Sequence, residues 1–152
     1  MDRVRQRLDG PLLGQFDEEI REYGVGQYCA DWEKIQAEWY MAIDAPALKK
    51  IELKRDGRHL GFAIVQESGT HSARYPHVYG MRKDMELTLC LRGEAGAAVS
   101  VLVDGREAGR LALDADQPDF AERTLPLQNE AGEHEITLIL TGKLAMDWFR
   151  LR

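Results

Sequence analysis

Few residues in this chain could do metal or nucleophile chemistry: four histidines, His59, His71, His77 and His134, and two cysteines, Cys29 and Cys90. None of the histidines stands in a His-Glu-x-x-His pair, which would set two imidazoles on one helix face, and the cysteines form no Cys-x-x-Cys. His71 and His77 share a segment bearing glycine and tyrosine, but it lacks a His-x-His ligand pair followed by Glu. No Gly-x-Ser-x-Gly elbow presents a serine, and no glycine-rich loop cradles a phosphate. The histidines therefore read as surface or hydrogen-bonded side chains. Cys90, inside an alternating apolar run, reads as a small buried apolar group. Two isolated thiols make neither a disulfide framework nor a zinc site. Acidic residues number 26, yet a glycosidase pair is defined by separation in space, which spacing along the chain does not give. These residues give an enzyme no support and do not exclude one.

Charge narrows the partners. The net charge is −6, and the 20 Lys and Arg residues are scattered. An acidic chain without a basic stripe repels phosphate backbones, so nucleic acid is not expected as a partner. No apolar run approaches the roughly 20 residues of a membrane-spanning helix. Residues Met1 to Arg7 are charged and carry no apolar stretch of the kind a signal peptide needs. The expectation is a cytoplasmic chain or a fragment of a longer protein.

Two regions must position whatever chemistry there is. Val4, Leu8, Leu12, Phe16 and Ile20 recur at i, i+4, interrupted by Gly10-Pro11, with Glu18, Glu19 and Glu22 off the stripe. This spacing predicts a short amphipathic helix over residues 11–23, opened by Pro11 and stopped at Gly24. From about residue 34 the period becomes two. Met85, Leu87, Leu89 and Leu91 alternate with Glu86, Thr88, Cys90 and Arg92; Val99, Val101 and Val103, then Ile136, Leu138 and Leu140, alternate likewise. Alternation places one face in a core and the other toward solvent. Asp104-Gly105 between two such runs predicts a tight hairpin. Roughly nine or ten short strands with regular turn signals predict an all-β sandwich or barrel. The division expected is an N-terminal extension or linker, 1–33, helical or irregular, and a β-sandwich domain, 34–152.

Several segments together resemble family 6 carbohydrate-binding modules. Ile35-Gln-Ala-Glu38 is similar to their opening strand, and Asp147-Trp-Phe149 to their closing strand. Between these, Tyr75-Pro-His-Val78, the run Met85–Arg92, the Val99–Val103 strand with Asp104-Gly105, and Gly132-Glu-His-Glu-Ile136 follow in the family's order. The likeness spans residues 34–152. Gln36-Ala-Glu-Trp-Tyr-Met41 is most like modules attached to family 43 glycoside hydrolases. The resemblance implies a jelly-roll, galactose-binding-like sandwich that binds plant polysaccharide of xylan or arabinan type and serves a glycoside hydrolase.

It also implies two sites. The first is a structural calcium, held by Gln36 and Glu38 from the opening strand and Asp147 from the closing strand. Calcium takes several oxygen ligands, and i, i+2 residues of a strand face the same way. The second is a sugar cleft with an aromatic pair, which falls on Phe120 and on Tyr75 or Tyr79. Here the chain departs from the family: Ala145 stands where the family has a hydroxyl-binding Asn, and Gln117-Pro-Asp-Phe120 replaces a loop bearing Trp. Binding at that edge is therefore expected to be weak or absent. Trp39, Trp148 and Phe149 read equally as core or as platform. A second reading follows from the altered cleft: a structural accessory domain that docks on a catalytic domain, or self-associates, without binding sugar.

Overall fold

The structure is a computed structural model that describes residues 28–30, 34–43 and 47–152. The helix expected over 11–23 lies outside the described residues. The alternating runs form strands: β1 (Tyr28–Cys29), β2 (Ile35–Gln36), β3 (Ala42–Ile43), β4 (Leu48–Arg55), β5 (Arg58–Gln66), β6 (Thr70–Met81), β7 (Glu86–Gly93), β8 (Ala98–Val103), β9 (Arg106–Ala112), β10 (Gln117–Pro126), β11 (Gly132–Thr141) and β12 (Leu144–Leu151). One sheet has the order β1-β6-β11-β8-β9, with β3 also on β6. The other has the order β10-β7-β12-β5-β4, with β2 also on β12. Pairing is antiparallel throughout except for the short parallel match of β1 with β6. The expected all-β sandwich is what the chain builds.

Turn chemistry sets the hairpins. Asp104 and Gly105 have φ of 51° and 82°. Two consecutive positive values match the right-handed twist of the strands they join, here β8 and β9. Asp56-Gly57 repeats this between β4 and β5, at 53° and 78°. After β6 the chain crosses between sheets, so β7, β10 and β12 share one sheet and β8, β9 and β11 the other.

The inward faces are those the alternation predicts. Leu87, Leu89 and Leu91 of β7 meet Val99 and Val101 of β8 and Ile136, Leu138 and Leu140 of β11, all essentially without solvent exposure. Each such side chain contributes roughly 1.5–3 kcal/mol by leaving water. Phe149 and Tyr75 meet edge to face at 4.9 Å, and Tyr28 packs on Tyr75 in the same way at 5.8 Å. Tyr28 and Ala30 are core residues, so the sandwich begins before residue 34, inside the segment expected to be linker. Cys90 is buried, as expected of a small apolar side chain, although it lies on the face of β7 opposite Leu89 and Leu91, and burial pushes its thiol up to about 11. Cys90 forms no disulfide. Among the described residues, no helix is long and apolar enough to cross a membrane.

Candidate functional site

The two end segments meet. β2 runs antiparallel to β12, with Gln36 opposite Trp148 and Ile35 opposite Phe149. β12 changes neighbours here: β5 pairs with Leu144, Ala145 and Met146, and β2 takes over at Trp148. Asp147 sits at this handover, where the register with β7 also shifts between Met146 and Trp148. A bulge at such a point re-aims a side chain. Glu38 lies in the 3₁₀ turn Ala37–Trp39, with Oε1 3.6 Å from where a Cβ on Gly61 of β5 would stand. Burial pushes the Asp147 carboxyl up, Lys34 pulls it down, and the neighbouring Glu38 charge adds to the rise. Gln36, Glu38 and Asp147 are thus brought to one seam. They offer two carboxylates and an amide oxygen, a hard-donor set that suits calcium. Among the described residues, no group of three or more His, Cys, Asp or Glu could hold a metal, so Gln36 and main-chain oxygens would have to complete any shell.

The three aromatic residues expected to hold sugar do not converge. Tyr75 is fully buried, its hydroxyl donating to the Ala37 carbonyl at 2.7 Å. It is a core residue with no free face, and this corrects its reading as a platform. The reason is visible in β6, where Ala73 and Tyr75 point inward together before a register irregularity shifts the alternation to Val78. His77, within that irregularity, has φ of 57°. Tyr79 is exposed and lies beside Cys29. Phe120 is on β10, the strand whose first residue Gln117 pairs with Gly93. Phe149 belongs to the core, Trp148 is nearly covered with the Lys34 ammonium 4.3 Å from its ring centre, and Trp39 is exposed.

A concave site does exist at the Gln117 end. It is a cleft of about 360 Å³ lined by Gln66, Glu67, Arg92, Glu94, Asp116, Gln117, Lys143, Ala145 and their neighbours, and it includes no aromatic side chain. Four connections shape it: β5–β6, β7–β8, β9–β10 and β11–β12. Buried Gln66 ties two of them. Its amide nitrogen donates to the carbonyls of Gly69 at 2.9 Å, Leu140 at 2.9 Å and Gly142 at 2.8 Å. Its Oε1 has no partner among the described residues. Asp116 accepts from the Ala95 amide at 2.8 Å, and Glu94 N–H donates to Lys143 O at 3.0 Å. At Gly93 a Cβ would come within 2.8 Å of Lys143 O, so only glycine lets the end of β7 approach the β11–β12 turn this closely. Phe120 is not a wall of the cleft. The Arg92 guanidinium, which is a wall, lies over the Phe120 ring 4.7 Å from its centre. Arg92, Gln66 and Lys143 are site residues that sequence reasoning missed.

The histidines remain apart. His59 faces Glu52 at 3.3 Å and His77 faces Glu133 at 3.9 Å. His134 lines a second cleft, of about 370 Å³, with Asp84, Asp104, Arg106, Asn129 and Glu130.

No protein-family profile and no curated protein sequence matches the chain. Solved structures do match in fold. A family 6 carbohydrate-binding module from Clostridium stercorarium in complex with cellobiose is 22% identical at a TM-score of 0.69, covering 82% of this chain and 95% of that one. A family 43 arabinoxylan arabinofuranohydrolase from Bacillus subtilis in complex with cellotetraose is 11% identical at 0.67, covering 82% of this chain and 28% of that one. A family 36 module in complex with calcium and xylotriose is 19% identical at 0.60, covering 79% of this chain and 99% of that one. The chain has the two-sheet sandwich fold of the family 6 carbohydrate-binding modules.

Proposed function

We propose that this domain is a non-catalytic carbohydrate-binding module that takes an oligosaccharide of xylan or arabinan type in the loop-end cleft, as an appendage of a glycoside hydrolase. The carrying observation is the cleft: a concave surface bearing charged and amide side chains at the strand ends of a fold shared with modules solved in complex with sugars. Its side chains suit hydroxyl groups, since carboxylates accept from them and guanidinium, ammonium and amide groups donate to them. Its acids are already engaged, Glu67 and Glu94 with Lys143 and Asp116 with a backbone amide, which favours binding over acid–base chemistry. Without an aromatic face the affinity is low. A millimolar dissociation constant corresponds to about 4 kcal/mol. Amide chemical-shift titration of the full chain with xylo- and arabino-oligosaccharides tests this. Saturable shifts at Gly93, Gln117 and Lys143 are the expected result. Shifts at no residue would overturn the binding role and favour the accessory-domain reading, for which the buried Tyr75 and the covered Phe120 ring already speak.

Calcium belongs to the same proposal. Gln36, Glu38 and Asp147 would hold a structural calcium that fastens β2 and the 3₁₀ turn to β12 and relieves the repulsion between the two carboxylates. A ligand at 100 times its dissociation constant adds about 2.7 kcal/mol, or roughly 6–10 °C in Tm for a domain of this size. Melts in calcium and in chelator should differ by that amount, and Asp147→Asn should remove the difference. Superimposable melts of the unaltered chain would exclude the metal.

A further inference from the structure

The charges of the loop-end cleft are unevenly matched. Lys143 stands between Glu67 and Glu94, at 3.7 and 3.8 Å. Nearby, Arg123 donates to Gln117 Oε1 at 3.2 Å and Arg150 approaches Glu122 at 3.6 Å. Arg92 alone among these cations has no carboxylate or carbonyl partner among the described residues; its guanidinium is held by the Phe120 ring. Arg92 is on the outward face of β7, opposite Ala145 of β12, whose small side chain leaves the space before it open.

We infer that the cleft selects a uronic-acid residue, whose carboxylate pairs with the Arg92 guanidinium. This rests on the carbohydrate reading proposed above and names the sugar class. Three observations lead to it. A half-buried guanidinium without an anion keeps its donors unused, and a planar carboxylate matches its fork two bonds at a time. Stacking on Phe120 fixes the plane of the guanidinium beforehand, so little side-chain freedom remains to be lost on binding. That same stacking takes the ring face on which a neutral pyranose would sit, so neutral sugars lose their apolar platform while an acidic sugar gains an ion pair. The rim acids are held by partners of their own, Glu67 and Glu94 by Lys143 and Asp116 by the Ala95 amide, and their remaining lone pairs accept hydroxyl groups from the sugar that carries the carboxylate. The carboxylate can come from a main-chain uronide or from a uronic-acid branch on a xylan.

Calorimetric titration of the full chain with tri-galacturonate, with a glucuronic-acid-branched xylo-oligosaccharide and with xylotriose tests this. At least one acidic ligand should bind ten-fold or more tightly than xylotriose, and which one binds identifies the source of the carboxylate. Raising sodium chloride from 20 to 500 mM should weaken the acidic ligand several-fold and leave xylotriose unchanged. Arg92→Ala should lose ten-fold or more in affinity for the acidic ligand and much less for xylotriose, which loses one hydroxyl donor but no ion pair. Arg92→Lys, which keeps charge but not the fork, should fall between. Equal affinities for acidic and neutral ligands, with no salt effect, would overturn the inference and leave the carbohydrate reading standing. An acidic ligand whose binding is unaltered in both Arg92 variants would overturn the assignment to Arg92. Silence toward both acidic ligands would overturn the inference, while the carbohydrate reading stands or falls on the chemical-shift titration with neutral oligosaccharides. The salt series uses the unaltered chain, so a variant that fails to fold leaves the test intact.

Discussion

The two clefts of the sandwich are nearly the same size, about 360 and 370 Å³, yet they are built in opposite ways. In the loop-end cleft a guanidinium faces open space with only an aromatic ring behind it. In the other, His134, Asp104 and Asn129 are engaged with one another or with the main chain. His134 Nδ1 meets Asp104 Oδ2 at 2.5 Å and its Nε2 meets the Glu130 carbonyl at 2.7 Å. Asp104 Oδ1 accepts the Glu135 amide at 2.8 Å. Buried Asn129 accepts from the Met85 amide at 3.1 Å and donates to the carbonyls of Arg82 and Glu130, both at 2.8 Å. Volume therefore does not separate a binding site from a structural joint. What separates them is where the built-in polar contacts fall: His134, Asp104 and Asn129 are spent on joining loops and have little to offer a ligand.

This contrast can be broken by substitution. The largest effect should come from Asn129→Ala, which leaves the buried Met85 amide without its acceptor and removes a donor from the Arg82 and Glu130 carbonyls near the β10–β11 connection. Each buried unsatisfied group costs about 1–3 kcal/mol, so a loss of about 3 kcal/mol and a fall of roughly 10 °C in Tm are expected, with ligand affinity at the loop end unchanged. A loss of sugar binding in this variant, with the fold intact, would contradict the division of roles. Gln66→Met should cost less, about 1–2 kcal/mol, because the Gly69 and Gly142 carbonyls lie toward solvent and only the bond to Leu140 is fully buried. Here stability and ligand affinity should fall together, since Gln66 joins two of the four loops that shape the cleft. Parallel melts and titrations of the two variants separate the cases.

The frame was legible where local chemistry decides the outcome. Asp104-Gly105 gives a hairpin because both residues accept positive φ, and Leu87, Leu89 and Leu91 face inward because alternation leaves them no other arrangement. The resemblance of the two end segments to opening and closing strands places Ile35–Glu38 near Asp147, and β2 does pair with β12 beside it. Tyr75 is core and not a sugar platform because it shares the inward face of β6 with Ala73, which the alternation of that segment carries and its family motif does not. Tyr28–Cys29 is a strand of two residues, too short to carry any periodicity. Arg92 could be placed on an outward face by its alternation with Leu87, Leu89 and Leu91. Its importance depends on Phe120 lying beneath it and on Lys143 being committed elsewhere, and both are facts of space. The His134–Asp104 contact joins a hairpin turn to a strand start thirty positions away, beyond the reach of any local signal.

The smallest predicted effect concerns that contact. Burial works against a charged His134 ring, but the hydrogen bond to Asp104, the hydrogen bond to the Glu130 carbonyl and the Asp104 charge outweigh it, and the pKa rises above its ordinary 6.5. For Asp104, burial raises the carboxyl, while the Glu135 amide, the His134 hydrogen bond and the His134 charge bring it below its ordinary 3.8. A raised histidine contributes stability that is complete below 6.5 and is lost as pH climbs through the folded-state value. A lowered carboxylate contributes stability that is complete above 3.8 and is lost as pH falls through its folded-state value. Both contributions are present together between about pH 4 and 6.5, so the stability difference between the unaltered chain and His134→Ala should be greatest there and shrink toward pH 9. Since more than half of the Asp104 side chain is exposed, solvent and salt screen the pair, and the pH-dependent part should stay under about 1 kcal/mol. Urea melts of both chains at pH 5.5 and 9 measure it; a difference that is flat or grows with pH would show that the ring acts by packing alone. The same pH change separates the two clefts, because a guanidinium and a carboxylate both keep their charge over this range. Ligand affinity at Arg92 should hold constant across the interval in which the His134 joint weakens.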